Sequence, residues 1–398
     1  MLRRIFLSGM IVTLLCLAMV VAGCAATSSA SAISIDAPPA VSAVDQSDGN
    51  ETVKAATDEQ NEVTESEEVA TGEQAEDSEK KAPVDDGVQV VSAFNGQNGE
   101  FPEGLAIDKP GNIYVSVGFP FWFPVEESFG EIWKISPDGE IAVLHAFPGG
   151  PGPAGLAVNP SGELYFAYPN PFDPAANGVY RLAGDGDPER LPGSENIGLA
   201  NGLALTKQGD LFVSDSMLGA VWRIAHDGTA AGIWFQDELL AGCDPDDFFV
   251  GANGIAFWKD SLYVANTSRG MLVRVPFLDD GSAGDLEIVT GDEDCDPPSD
   301  PLFGIDGITL DVHGNIFALL VLQNKLMRID PVDGSHVELL NVDDGLYNPA
   351  SITFGTGKGN RQQVFLSNFA LIPPPPSDNS FGPGVLSYDV GVPGLPLP

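Results

Sequence analysis

Positive charge is scarce in this chain of 398 residues: 18 Lys plus Arg stand against 57 Asp plus Glu, a formal net charge of −39. A field of that sign repels phosphate backbones and anionic lipid headgroups, which excludes nucleic acid and leaves cationic or neutral partners. Histidine is nearly absent, with His145, His226, His313 and His336 the only copies. None falls in the repeated segments described below, which argues against chemistry that depends on a His base. Cysteine is confined to Cys16, Cys24, Cys243 and Cys295. No Ser nucleophile elbow, P-loop or dinucleotide fingerprint stands out, and no helical period runs through the body of the chain.

One long apolar run does occur. Arg3 and Arg4 precede Ile5 to Ala22, and the run ends in Val21-Ala22-Gly23-Cys24. A basic start, an apolar centre and small residues before the end describe a secretory signal. Small residues immediately before a Cys resemble the bacterial lipoprotein pattern, which implies a leader over 1–23 and lipid on Cys24; an uncleaved anchor is the alternative. From Ala25 to Asp86 there is no aromatic residue, and sixteen Asp/Glu against three Lys give a net charge of −13. Such a segment buries too little to offset chain entropy, so residues 24–87 are expected to be a disordered acidic tether. Together these features place the protein in the cell envelope, held outside the cytoplasmic membrane by a lipid anchor alone.

Beyond the tether one pattern recurs six times: Pro102-Glu103-Gly104-Leu105-Ala106, Pro153-Ala154-Gly155-Leu156-Ala157, Ala200-Asn201-Gly202-Leu203-Ala204, Ala252-Asn253-Gly254-Ile255-Ala256, Ile305-Asp306-Gly307-Ile308-Thr309 and Pro349-Ala350-Ser351-Ile352-Thr353. Each copy leads into a Gly-containing turn and further short β-rich segments, at a spacing of about fifty residues. This predicts an all-β fold over 88–398, a six-bladed β-propeller of four-stranded blades. The last repeat supplies only three strands, around Ile352, Phe365 and Leu386, while Val88 to Phe94 is a lone strand before the first. The N-terminal strand is therefore expected to close the last blade and remove open edges.

In such a ring the first strand of each blade lines the channel, and the residue before its Gly sits at the channel mouth. Those positions read Glu103, Ala154, Asn201, Asn253, Asp306 and Ala350. Asn and Asp favour turns entering a strand, but that preference does not account for a Glu. A ring of carboxylate and amide oxygens suits a hard divalent cation.

The order Glu, Asn, Asn, Asp in blades one, three, four and five resembles the senescence marker protein/gluconolactonase (regucalcin-like) family, over essentially all of 88–398. The resemblance implies a divalent metal held by Glu103, Asn253 and Asp306, calcium first, with magnesium, manganese or zinc as alternatives. It also implies that Asn201 borders the substrate and that Asp306 doubles as the general base for lactone opening. One departure matters. Family members acting on sugar lactones carry an Arg two residues before the blade-three Asn, where this chain has Leu199, so a sugar acid loses an anchor.

Aromatic and Pro-rich loops between second and third strands fall in neighbouring blades: Phe119 to Pro124 with Trp122 and Phe123, Tyr168 to Phe172, and Phe369 to Phe381. They suit an apolar wall in which Trp122, Phe123 and Phe172 meet a bulkier lactone or ester, or else a lid with no ligand. Cys243 and Cys295 lie at matching places before Asn253 and Asp306 and are expected to form a disulfide in an oxidising compartment, with free thiols as the alternative. The expected activity is thus that of a monomeric, metal-dependent lactonase or esterase. The alternative is a non-catalytic propeller binding a protein, glycan or small ligand.

Overall fold

The turn that ends each inner strand shows why the chain folds back so sharply. In Asp108-Lys109-Pro110-Gly111-Asn112 the Asp108 carboxylate accepts from the backbone N–H of Gly111 at 2.9 Å and of Asn112 at 2.7 Å. Gly111 takes φ 96°, a conformation that side chains with a Cβ rarely adopt. Asp311 performs the same task further along, accepting from the N–H of His313 and of Asn315.

The computed structural model describes residues 87–118, 129–170, 173–184, 186–229, 231–243, 250–293, 295, 300–372 and 375–398. The leader, Cys24, the tether, Trp122, Phe123 and Phe172 lie outside the described residues. Twenty-four strands form six four-stranded antiparallel sheets. Five of them are built from consecutive strands, the first being Pro102–Ile107, Ile113–Gly118, Phe129–Ile135 and Ile141–Pro148. The sixth combines Pro349–Phe354, Gln363–Asn368 and Gly384–Asp389 with Gln89–Ala93. That N-terminal strand pairs Gln89 with Ser387 and Ala93 with Gly384. The fold is a six-bladed β-propeller. Among the described residues, helix is limited to single 3-10 turns such as Gly96–Asn98 and Glu238–Leu240.

The apolar interior is divided among the junctions between blades. Six clusters of buried residues occur, each drawn mainly from two adjacent blades; Tyr165, Ala167 and Val179 of blade two, for example, pack with Val213, Trp222 and Ile224 of blade three. Every blade supplies one aromatic from the same place on its second strand: Tyr114, Tyr165, Phe212, Tyr263, Phe317 and Phe365, all buried. A wedge of that size at each junction gives the blades their common angle, and truncating one to Ala costs about 3–5 kcal/mol in comparable cores.

The repeated Gly answers to the ring itself. A Cβ on Gly104, Gly155, Gly202, Gly254 or Gly307 would stand under 3.0 Å from the carbonyl oxygen of Ala154, Asn201, Asn253, Asp306 or Ala350 in the next blade. Only glycine lets neighbouring inner strands approach so closely. In the sixth repeat Ser351 takes this place, and its hydroxyl accepts from Leu105 N–H at 3.2 Å.

Candidate active site at the channel mouth

Strand register puts the residues before those glycines where they can serve a ligand. In blades one, three, four, five and six the inner strand slips register over the pair that includes the repeat residue, between Pro102 and Leu105, Ala200 and Leu203, Ala252 and Ile255, Ile305 and Ile308, and Pro349 and Ile352. Such a bulge frees a residue from the ladder and re-aims its side chain. The freed residues are Glu103, Asn201, Asn253, Asp306 and Ala350.

Serines on blades one, three and six then pin neighbouring inner strands to one another. Ser116 Oγ accepts from Gly104 N–H at 2.6 Å and donates to the Ala154 carbonyl at 3.1 Å. Ser214 accepts from Gly202 N–H at 2.7 Å and donates to the Asn253 carbonyl at 2.6 Å. Ser367 accepts from Ser351 N–H at 2.9 Å and donates to the Glu103 carbonyl at 2.6 Å. The backbone under Glu103 and Asn253 is therefore fixed by hydroxyls of the preceding blade.

A cavity of about 860 Å³ follows the axis and is lined by Glu103, Asn201, Asn253, Asp306 and Ala350, with Leu395 to Pro398 at its other end. None of the four histidines lines it. Burial pushes the Glu103 carboxyl up to about 8, and the neighbouring Asp306 carboxylate adds to the shift. Burial also raises Asp306 to about 8, while a hydrogen bond from Asn253 opposes the rise. Two neighbouring carboxyls, one feeling the charge of the other and the other touched by an amide, form a hard oxygen donor set. The structure brings Glu103, Asn253 and Asp306 together, with Asn201 lining the same cavity. Among the described residues no group of three or more His, Cys, Asp or Glu is placed to hold a metal ion, so any cation here relies on two carboxylates and amide oxygen. The donor chemistry fits a hard divalent ion.

Both amides have fixed partners. Asn201 Nδ2 donates to Ser216 Oγ at 3.1 Å, and Asn253 Nδ2 donates to Thr267 Oγ1 at 2.9 Å. Leu199 is 3 % exposed, so it offers the cavity no polar replacement for the arginine of the sugar-lactone pattern. Around the rim, Met217 is 50 % and Ile372 55 % exposed, and Leu218 and Leu322 are also open. Phe101 and Phe369 meet edge to face at 6.4 Å between blades one and six.

Cys243 and Cys295 form a disulfide, with Cα atoms 5.5 Å apart. Arg269 ties the same pair of loops: its guanidinium donates to the carbonyls of Ala241, Glu238 and Glu293. Sequence reasoning missed Arg269, the pinning serines, Ser216 and Thr267. The hydroxyls left a partial signal, Ser116, Ser214 and Ser367 at one place within three second strands and Ser216 and Thr267 one place past the end of two; Arg269 left none.

No protein-family model and no curated protein matches the chain. Solved structures do. A gluconolactonase from Xanthomonas campestris superposes with a TM-score of 0.53 at 17% identity, over 77% of this chain and 89% of that one. The calcium-binding protein regucalcin from Agrobacterium tumefaciens gives 0.54 at 17% identity, over 78% and 96%. A luciferin-regenerating enzyme gives 0.55 at 15% identity, over 77% and 98%. At such identities the likeness is one of fold, and these neighbours are gluconolactonase- and regucalcin-like propellers.

Proposed function

We propose that the channel mouth hydrolyses lactones or related esters, with a divalent cation, calcium first, held by Glu103, Asn253 and Asp306. The observation that carries this reading is the pair Glu103 and Asp306: two carboxyls from distant blades, each pushed up to about 8, at one end of a cavity of about 860 Å³. Leaving two such groups at the axis with no cationic partner among the described residues costs stability, which is the signature of a site kept for function. Bound there, a divalent ion would polarise the ester carbonyl and favour ionised carboxylates. Asp306, once ionised, takes the proton of an attacking water, and Glu103 holds the negative charge that keeps the donor set hard. Asn201 contacts the substrate beside the reacting carbonyl.

Leu199 in place of an arginine, and the open Met217, Leu218, Leu322 and Ile372 on the rim, favour an acyl or alkyl group over a polyhydroxylated one. In this reading Trp122, Phe123 and Phe172 contact the apolar part of the substrate. The names of the solved neighbours, a gluconolactonase and a calcium-binding protein, support the class without assigning a substrate. Export on a lipidated Cys24, a monomeric state and the absence of a nucleic-acid partner complete the proposal.

The test is a panel of aliphatic lactones, sugar lactones and aryl esters, assayed with calcium, magnesium, manganese or zinc and again with chelator. Turnover lost on chelation and in Asp306→Asn is expected, with aliphatic compounds preferred to gluconolactone. Paired substitution of Trp122 and Phe123 by Ser should raise KM for the apolar compounds. Cation-loaded, folded protein inactive on every compound would select the alternative, a non-catalytic binding propeller.

A further inference from the structure

The two amides of the mouth are asymmetric groups, and their usefulness depends on which end faces the axis. An Asn turned with Oδ1 inward offers a ligand for a cation or an acceptor for a hydroxyl; turned the other way it presents N–H donors. Something must select between the two. Ser216 Oγ donates its one proton to the Ala252 carbonyl at 2.6 Å. With Ser216 0 % exposed, water does not compete, and the hydroxyl is left as an acceptor. It therefore takes the Asn201 Nδ2 proton, and Oδ1 is the end turned away from it. Thr267, 2 % exposed, also accepts from Asn253 Nδ2.

The internal repeats supply an independent control. Ser216 and Thr267 occupy one structural position, the residue that follows Asp215 and Asn266 at the end of the second strand. The matching residues of the other blades are Gly118, Pro169, Val321 and Phe369, none with a hydroxyl. Across six copies, hydroxyl at this place and Asn before the repeat Gly occur together, in blades three and four only.

We infer that Thr267 is a positioning residue that holds the Asn253 carboxamide with Oδ1 available to a cation, and that Ser216 does the same for Asn201 toward whatever Asn201 contacts. The inference rests on the cation reading of the site. Hydrogen-bonded partners of metal ligands fix ligand orientation, and removing one typically costs about 10- to 100-fold in metal affinity.

The experiment is a calorimetric titration of calcium, then of manganese, into the full chain and four variants. Thr267→Val keeps the volume and removes the acceptor; calcium affinity should fall about ten-fold or more. Thr267→Ser restores the acceptor and should bind within about three-fold of the parent. Should the valine variant fail to fold, Thr267→Ala makes the same test. Ser216→Ala acts on an amide outside the ligand set and should leave calcium affinity within about two-fold. Equal binding by Thr267→Val and the parent would overturn the inference, as would a Thr267→Ser protein as weak as the valine variant. So would a loss in Ser216→Ala as large as in Thr267→Val, because it would mean that any lost hydroxyl loosens the mouth. A parent chain that binds neither ion would instead remove the cation reading itself, and the inference with it.

Discussion

Calcium affinity should depend steeply on pH, because the ion competes with protons for Glu103 and Asp306. Both carboxyls sit at about 8 when no cation is present, through burial and mutual repulsion for Glu103 and burial for Asp306. At pH 6 each is then roughly 99 % protonated, and binding must release close to two protons. Each proton released contributes about ten-fold per pH unit, so affinity should rise by up to about 100-fold from pH 6 to 7. The gain should shrink near pH 8 and vanish above pH 9. Stability without calcium carries the opposite sign. These carboxyls hold protons more tightly folded than unfolded, so their contribution is fully present below pH 4 and is lost as pH rises through about 8. The melting-temperature gain on adding calcium should therefore be larger at pH 8 than at pH 6. Calorimetry at pH 6, 7, 8 and 9, in buffers of differing ionisation enthalpy, reads both affinity and protons released. Equal affinity at pH 6 and pH 8, with no proton release, would refute the reasoning.

Further outcomes follow from the same structure. Glu103→Gln and Asp306→Asn should each abolish calcium binding yet raise the melting temperature of the cation-free protein at pH 8, since each removes a buried charge; a lower melting temperature would show that the carboxylates serve packing. Gly254→Ala places a Cβ against the Asp306 carbonyl and should destabilise the ring by about 1–3 kcal/mol in a denaturant titration, or more if the blades cannot shift. Reducing the Cys243–Cys295 bond, whose partners are 52 residues apart, should cost about 4 kcal/mol on loop-closure entropy alone, measured by melting with and without reductant. Deleting Gln89–Ala93 leaves the Gly384–Asp389 strand with an open edge and should make the protein aggregate, as light scattering would show.

The architecture was legible because each repeat carries its own punctuation. Glycine after the mouth residue, Asp-rich turns and alternating strands recur closely enough to count blades, and the reason for the glycine, the carbonyl of the next blade, recurs with them. Glu103, Asn201, Asn253 and Asp306 stood out because they break a pattern in which Ala suffices, and the division into cation ligands and Asn201 came from the family resemblance. The hydroxyls that orient the amides were harder. Ser216 and Thr267 lie outside the repeated motif; their role depends on a register slip in the inner strand and, for Ser216, on a proton committed to Ala252, neither of which a linear pattern records. Arg269 was invisible for a related reason: its partners Ala241, Glu238 and Glu293 are backbone carbonyls, which any residue provides.

The position of a bound ion is the most direct test of the channel mouth. Crystals of the full chain soaked in manganese should show one strong anomalous peak on the channel axis, within coordinating distance of Glu103, Asn253 and Asp306, with Asn253 Oδ1 toward it. A peak confined to the acidic rim near Asp292 and Glu293, or none at the axis, would contradict the claim that these three residues form a cation site.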